Sequence, residues 1–422
     1  MRSIPLGIQD FKEIRDGRFY YVDKTPLIDG VLGKKKSKVL LFTRPRRFGK
    51  SLNLSMLDAY LNIEYSGNDW FEGLSISDLR HDDPEKNSHP VIYIDLKDLG
   101  DGSYKDFILK MRFKLRILYS NYPYLRNSDR LNDSLVRMFN DVYEQNDGAD
   151  ITQSLNLLVM ALSIHCGRKV VLLIDEYDNA VNNARTDIKD ENGDTDRRKI
   201  LDFIRSLLSP VIKGNDYLHF AVLIGVTKIG KESIFSGLNN LTIDSVFDVN
   251  FDEAFGFSPA EVQKMCTDYG RADKFEEARR WYDGYRFGNA DVYNPWSLLN
   301  YINSGFSPRT YWAGTSGNDI IDKLMDGSDY EVFGEFETLI KGGEVRESLS
   351  EIVEYADVAS GGDSGDLFSI LVVSGYLRAV PTEDIGEYDL SIPNLEMSMV
   401  FRERFLKRMG TTGKRIRTLE RR

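Results

Sequence analysis

The sequence predicts an α/β fold in which helices cover a parallel sheet, on two observations. Four runs, residues 38–43, 91–96, 170–174 and 220–226, are continuously apolar rather than alternating, the pattern of strands buried on both faces. The segments between them carry apolar residues at helical spacing, and strand, helix and strand in repetition make an α/β domain.

The elements come in this order. After the first run, Leu52, Leu54, Met56, Leu57, Tyr60 and Leu61 predict a helix; after the second, Phe107, Ile108, Met111, Leu115 and Leu118 predict another. Leu155, Leu158, Val159 and Leu162 predict a helix before the third run, and a short run at 245–250 is expected to close the sheet as a fifth strand. This first domain is expected to span 1–255. Beyond it the pattern changes to helices and aromatic turns, a mainly helical lid-like domain over 256–345 that starts at Ser258-Pro-Ala-Glu261, with serine as cap and glutamate reaching back. From 361 onward a helix, a tight turn at Gly375 and a short hairpin predict a small winged-helix unit, placed over 346–422 together with a basic end.

Composition narrows the function classes. With 422 residues, 41% hydrophobic and 29% charged, the chain is an ordinary globular one of two or three domains. No stretch approaches the roughly 20 apolar residues of a membrane helix, and no secretory signal follows Met1, so a cytoplasmic protein is expected. Cys166 and Cys266 lack nearby partners, which argues against disulfide and zinc scaffolds. His81, His89, His165 and His219 are scattered without ligand spacing, so no metal is expected on them. The net charge of −11 argues against a nucleic-acid coat, yet residues 402–422 hold nine Lys/Arg against two Glu, a local +7 that suits nucleic acid or an acidic protein partner.

Chemistry concentrates at strand ends. Gly49-Lys50-Ser51 lies directly after the first strand and before an amphipathic helix, the setting of a phosphate-binding loop. There the backbone of Arg46, Arg47, Phe48, Gly49 and Leu52 faces phosphate, Lys50 reaches the β- and γ-phosphates, and the Ser51 hydroxyl ligates Mg²⁺. Position 44, where such loops carry their first glycine, is arginine, and Pro45 stiffens the start of the loop; Arg44, Arg46 and Arg47 are expected to surround a polyanion. The third strand runs into Asp175-Glu176: Asp175 suits Mg²⁺, and Glu176 suits a general base that activates water. Thr227, after the fourth strand, is expected to contact the γ-phosphate or its water.

The stretches IPLGIQDFKEIRDGRFYYVDKTPLI, TRPRRFGKSLNLSML, VLLIDEYDNAV, GVTKIGKESIFSGLNNL, WYDGYRFG, VYNPWSLLNYI and SGYLRAV closely resemble the bacterial and archaeal AAA-ATPase-like family, whose loop typically reads R-P-R-R-F-G-K-S. The likeness runs nearly to Phe405. It implies an ATP-binding core of the additional-strand class, with Lys50, Ser51, Asp175 and Glu176 at the Walker positions and Thr227 at a sensor position. It also implies that Arg44 is normal in this loop. Family members usually continue into a restriction-endonuclease-like nuclease domain; no Asp…Glu-x-Lys constellation occurs after residue 405, so nuclease activity is not carried over. The aromatic motifs at 281–285 and 293–297 are expected to pack the helical domain onto the nucleotide domain, and Tyr20 to Thr25 to contribute to an adenine pocket. The expected activity is Mg²⁺-dependent ATP hydrolysis that drives domain movement. Its rivals are a non-hydrolysing nucleotide switch with a protein partner and a DNA-binding regulator using the 361–390 region and the basic end. The oligomeric state is left open.

Overall fold

The computed structural model describes residues 2–33, 37–100, 102–146, 148–184, 190, 193–229, 235, 240–312, 330–352 and 364–404. Five strands, β1 (Val39–Thr43), β2 (Val91–Asp95), β3 (Val170–Asp175), β4 (Leu218–Gly225) and β5 (Leu241–Asp244), form one sheet in the order β2-β3-β4-β1-β5. Every pairing is parallel. Because β4 is inserted between β1 and β3, the loop after β1 and the acids after β3 lie two strand spacings apart, about 10 Å.

Continuous hydrophobicity in these strands has the expected cause. Leu40 and Phe42 of β1 and Val171 and Leu173 of β3 enter one core, while Val39, Leu41, Val170, Leu172 and Ile174 enter another on the opposite face. The second core is closed by the helices Tyr104–Ser120, Asp133–Glu144, Ser154–Cys166 and Asp196–Ile212. The first is closed by Phe11–Asp16, Pro26–Leu32 and Lys50–Leu61. Several of these helices start on side-chain caps, with a reciprocal box between Ser103 and Asp106 and single caps from Asn132 and Thr195.

The fifth strand differs from expectation: β5 is Leu241–Asp244, and 245–250 is a turn. Ser245 explains this, since its amide and hydroxyl both donate to Asp248 Oδ2, at 2.8 and 2.7 Å, and that local ring competes with a ladder.

Past residue 255 the helices Pro259–Asp268, Phe275–Tyr282 and Pro295–Asn303 build a third core around Met265, Cys266, Tyr282, Tyr293 and Tyr301. Ser258 and Glu261 form the expected capping box. A hairpin of β6 (Tyr285–Phe287) and β7 (Ala290–Val292) links this core to the sheet domain. Further on come the helix Tyr330–Ile340, β8 (Val345–Ser348), the helix Ser364–Val373, β9 (Arg378–Pro381) and β10 (Glu387–Ser391), the strands pairing antiparallel as β8-β10-β9. The turn at Gly375, φ +82°, is as expected. Phe368, Leu371, Tyr376 and Leu377 of this part enter the same core as Leu40 and Phe42. The basic end beyond residue 404 lies outside the described residues. Among the described residues, no helix is long and apolar enough to cross a membrane.

Candidate functional site

The carboxyl edge of the sheet gathers the residues that the sequence singles out. β1 ends at Thr43, and the loop 44–49 leads into the helix Lys50–Leu61. That helix begins on Gly49 in the left-handed region, φ +83°, with no side-chain cap, so the first-turn amides keep their donor capacity. A Cβ at Gly49 would meet no atom within 4 Å, so the loop's face is open there. Both features fit a bound phosphate group.

Lys50 is buried and its Nζ donates to the Pro45 carbonyl at 2.9 Å. Burial pushes this ammonium below its ordinary range, against the pull of Asp175, Asp178 and Glu176. The Asp175 carboxyl is raised by burial in spite of the nearby Ser51 hydroxyl and of Lys50. Hydroxyl, ammonium and carboxylate thus meet across the inserted strand.

Glu176 is half-buried with its backbone left-handed, φ +50°, an uncommon conformation for a non-glycine residue and one that clusters at functional sites. Its amide donates to Asp175 Oδ1 at 2.9 Å, and Asn179 Nδ2 donates to Glu176 Oε2 at 2.7 Å. The carboxylate is therefore held in one orientation at the strand end. Arg47 carries the same backbone anomaly, φ +71°, and lies 4.4 Å over the Trp296 ring.

Two expectations are corrected. Arg44 is fully buried and turned away from the edge: it pairs with Asp244 and donates to the carbonyls of Thr43 and Asp244 at 3.0 and 2.9 Å. Burial drives this correction, since an arginine without solvent needs a carboxylate and several acceptors. It is therefore not one of three cations around a polyanion. Tyr20 and Lys24 are engaged elsewhere, bonding Asp268 and Glu261 at 2.7 and 2.8 Å and tying the N-terminal segment to the helix Pro259–Asp268 instead of building a base pocket. Apart from these two, the Phe48 side chain packs against Tyr285 and Phe287, with centroids 5.1 and 5.0 Å away, and its backbone is the part that belongs to the loop.

Thr227 reaches the edge, but its hydroxyl donates to Asp178 Oδ2 at 2.9 Å and accepts from Asn182 at 2.7 Å. It sits in a buried network and not as a free hydroxyl. Asp178, which sequence motifs do not single out, is the hub, accepting also from the amides of Thr227 and Val226 at 2.8 and 3.0 Å. Its place three positions after Asp175 was the available signal. Asp95 was missed too; it stands in register with Asp175 at the end of β2, and burial pushes its carboxyl up.

An additional-strand sheet with a lysine loop after β1 and acids after β3 defines a P-loop nucleotide-binding protein. The comparisons agree: the family model described as "Predicted AAA-ATPase" matches residues 5–235, and the chain belongs to that family. It is also 29% identical over 422 residues, 96% of this chain and 70% of the relative, to an uncharacterized protein in the vnfD 5′ region of Azotobacter chroococcum mcd 1.

Proposed function

We propose that the chain is a Mg²⁺-dependent ATPase whose nucleotide binds on the loop 46–52. The observation that carries this reading is the buried Lys50 after β1, under the electrostatic pull of Asp175, Asp178 and Glu176, with the Ser51 hydroxyl acting on Asp175. The amides of Arg46 to Leu52 and the Lys50 ammonium hold the phosphates, and Ser51 Oγ and Asp175 hold the metal. Mg²⁺, when bound, neutralises charge that develops on the phosphates. Glu176 takes the proton of the attacking water as its oxygen bonds to the γ-phosphorus and the bond to the β–γ bridging oxygen breaks. Asn179 keeps that carboxylate aimed. Thr227 acts with Asp178 as a positioning pair that fixes the end of β4. A cytoplasmic setting would supply ATP and Mg²⁺.

Calorimetric titration of Mg-ATP together with phosphate release tests this. Lys50→Ala is expected to lose binding, and Glu176→Gln to keep binding while losing turnover by 10²-fold or more, on the order of a general base's contribution. Unchanged turnover in Glu176→Gln contradicts the assigned role.

A second reading, a nucleotide-dependent switch with a protein partner, is favoured by the grip of other elements on the loop. Phe48 contacts β6, Arg47 contacts Trp296, and Pro45 abuts Gly375, where a Cβ would come within 2.8 Å. Binding without phosphate release selects this reading. The DNA-binding alternative finds no support in the helix Ser364–Val373, which contains no Lys or Arg and buries Leu367, Phe368, Ile370 and Leu371, and its basic end lies outside the described residues.

A further inference from the structure

At the amino-terminal edge of the sheet, opposite the nucleotide site, three side chains distant in sequence converge. Glu85 and His89 come from the segment leading into β2, and His219 is the second residue of β4. Their ligand atoms all lie within 4.8 Å of one another. His89 Nδ1 is 3.0 Å from the Lys169 carbonyl, and a carbonyl only accepts, so Nδ1 carries the hydrogen. In the neutral ring Nε2 is then a lone pair, yet it faces Glu85 Oε2 at 2.8 Å. Two acceptors at that separation require a proton or a metal cation between them. His219 Nε2 approaches the same oxygen at 3.0 Å.

We infer that Glu85, His89 and His219 form a binding site for a divalent transition-metal ion of the zinc class. Two imidazole nitrogens and one carboxylate oxygen are a known zinc donor set, and a backbone carbonyl on the far nitrogen is the usual support of a ligating histidine. Glu85 and His219 are each about one-third exposed, which leaves room for water as a fourth ligand. The imidazoles stack at 4.3 Å with planes 10° apart, so binding tilts them toward a common centre, and His219 at the surface is the ring that turns. The two separations from Glu85 Oε2 widen to about 3.3–3.6 Å around a tetrahedral ion with bonds of about 2.0–2.2 Å. The ion clips the segment before β2 to β4 across the start of β3, a structural role independent of the nucleotide reading.

The test uses the full chain, stripped with chelator and titrated with Zn²⁺ alone and with Co²⁺. One equivalent of Zn²⁺ is expected to bind and raise the melting temperature by several degrees, and Co²⁺ to give visible d–d bands without a thiolate charge-transfer band. His219→Gln and Glu85→Gln each lose the stoichiometric binding and the melting shift, while Mg-ATP affinity stays unchanged. Absence of a one-equivalent site in the wild type, or equal binding in both variants, overturns the inference.

Discussion

Arg44 lies wholly inside the fold, paired with the buried carboxylate of Asp244. At the place of a glycine it reads as a ligand for phosphate; folded, it holds β5 and the 251–255 turn to β1 through Asp244 and the Phe251 carbonyl. Arg44→Met leaves Asp244 buried without a partner and is expected to cost about 3–5 kcal/mol, whereas Arg44→Met with Asp244→Leu recovers most of that loss. Urea midpoints decide, and additive losses contradict the pairing. Glu396 is a second buried charge, invisible in sequence because it sits in an unremarkable Asn-Leu-Glu-Met stretch. It accepts from the Trp312 amide at 2.7 Å, and burial pushes its carboxyl up to about 7 from 4.5. The folded chain therefore keeps a proton that the unfolded chain has lost between about pH 4.5 and 7, so this stability is complete below 4.5 and disappears as pH rises through 7. The contribution is on the order of 3 kcal/mol. Glu396→Gln should flatten the decline in unfolding free energy over that window, and parallel curves would disprove the assignment. Lys50, Ser51, Asp175 and Glu176 were legible because strand–loop–helix context fixes their direction; Asp178, Asp95 and Glu396 were not, because their roles come from neighbours on other strands.

Among the elements, the four long strands were legible from two-faced burial, and the capped helices from period and caps. β5 was misplaced because four residues flanked by a Ser-x-x-Asp turn carry little signal, and partly exposed Leu241, Thr242 and Ile243 do not read as a buried strand. The split of residues beyond 255 into a helical core and a sheet-bearing part depends on which core each helix enters, and only long-range packing reveals that. The Asp283-Gly284-Tyr285 corner illustrates this. Gly284 is at φ +93°, and a Cβ there would fall 2.0 Å from the Pro393 carbonyl oxygen. Gly284→Ala should cost more than the roughly 1–2 kcal/mol of a left-handed conformation alone, because backbone must also move. A thermal shift no larger than that of Gly305→Ala, where nothing lies within 4 Å, would contradict the close approach.

For the whole molecule, the phosphate loop is the point at which the parts meet. Trp296→Ala removes the ring under Arg47, a contact worth about 0.5–1 kcal/mol at an exposed site, and should change Mg-ATP affinity about two- to fivefold. It should also abolish any nucleotide-dependent protection of 295–303 in hydrogen exchange; protection that persists would mean that the loop signals by another route. The sheet order has a further consequence, for synthesis. β1 emerges first yet lies between β4 and β5, so neither hydrogen-bonding edge can be satisfied until β4 is made at residue 225, nor both until the chain has passed residue 244. At roughly 5–20 residues per second this leaves Val-Leu-Leu-Phe-Thr unpaired for on the order of ten seconds or more. During that interval a nascent chain exposes an aggregation-prone strand, which makes β1 the segment where a ribosome-bound chaperone would have most effect.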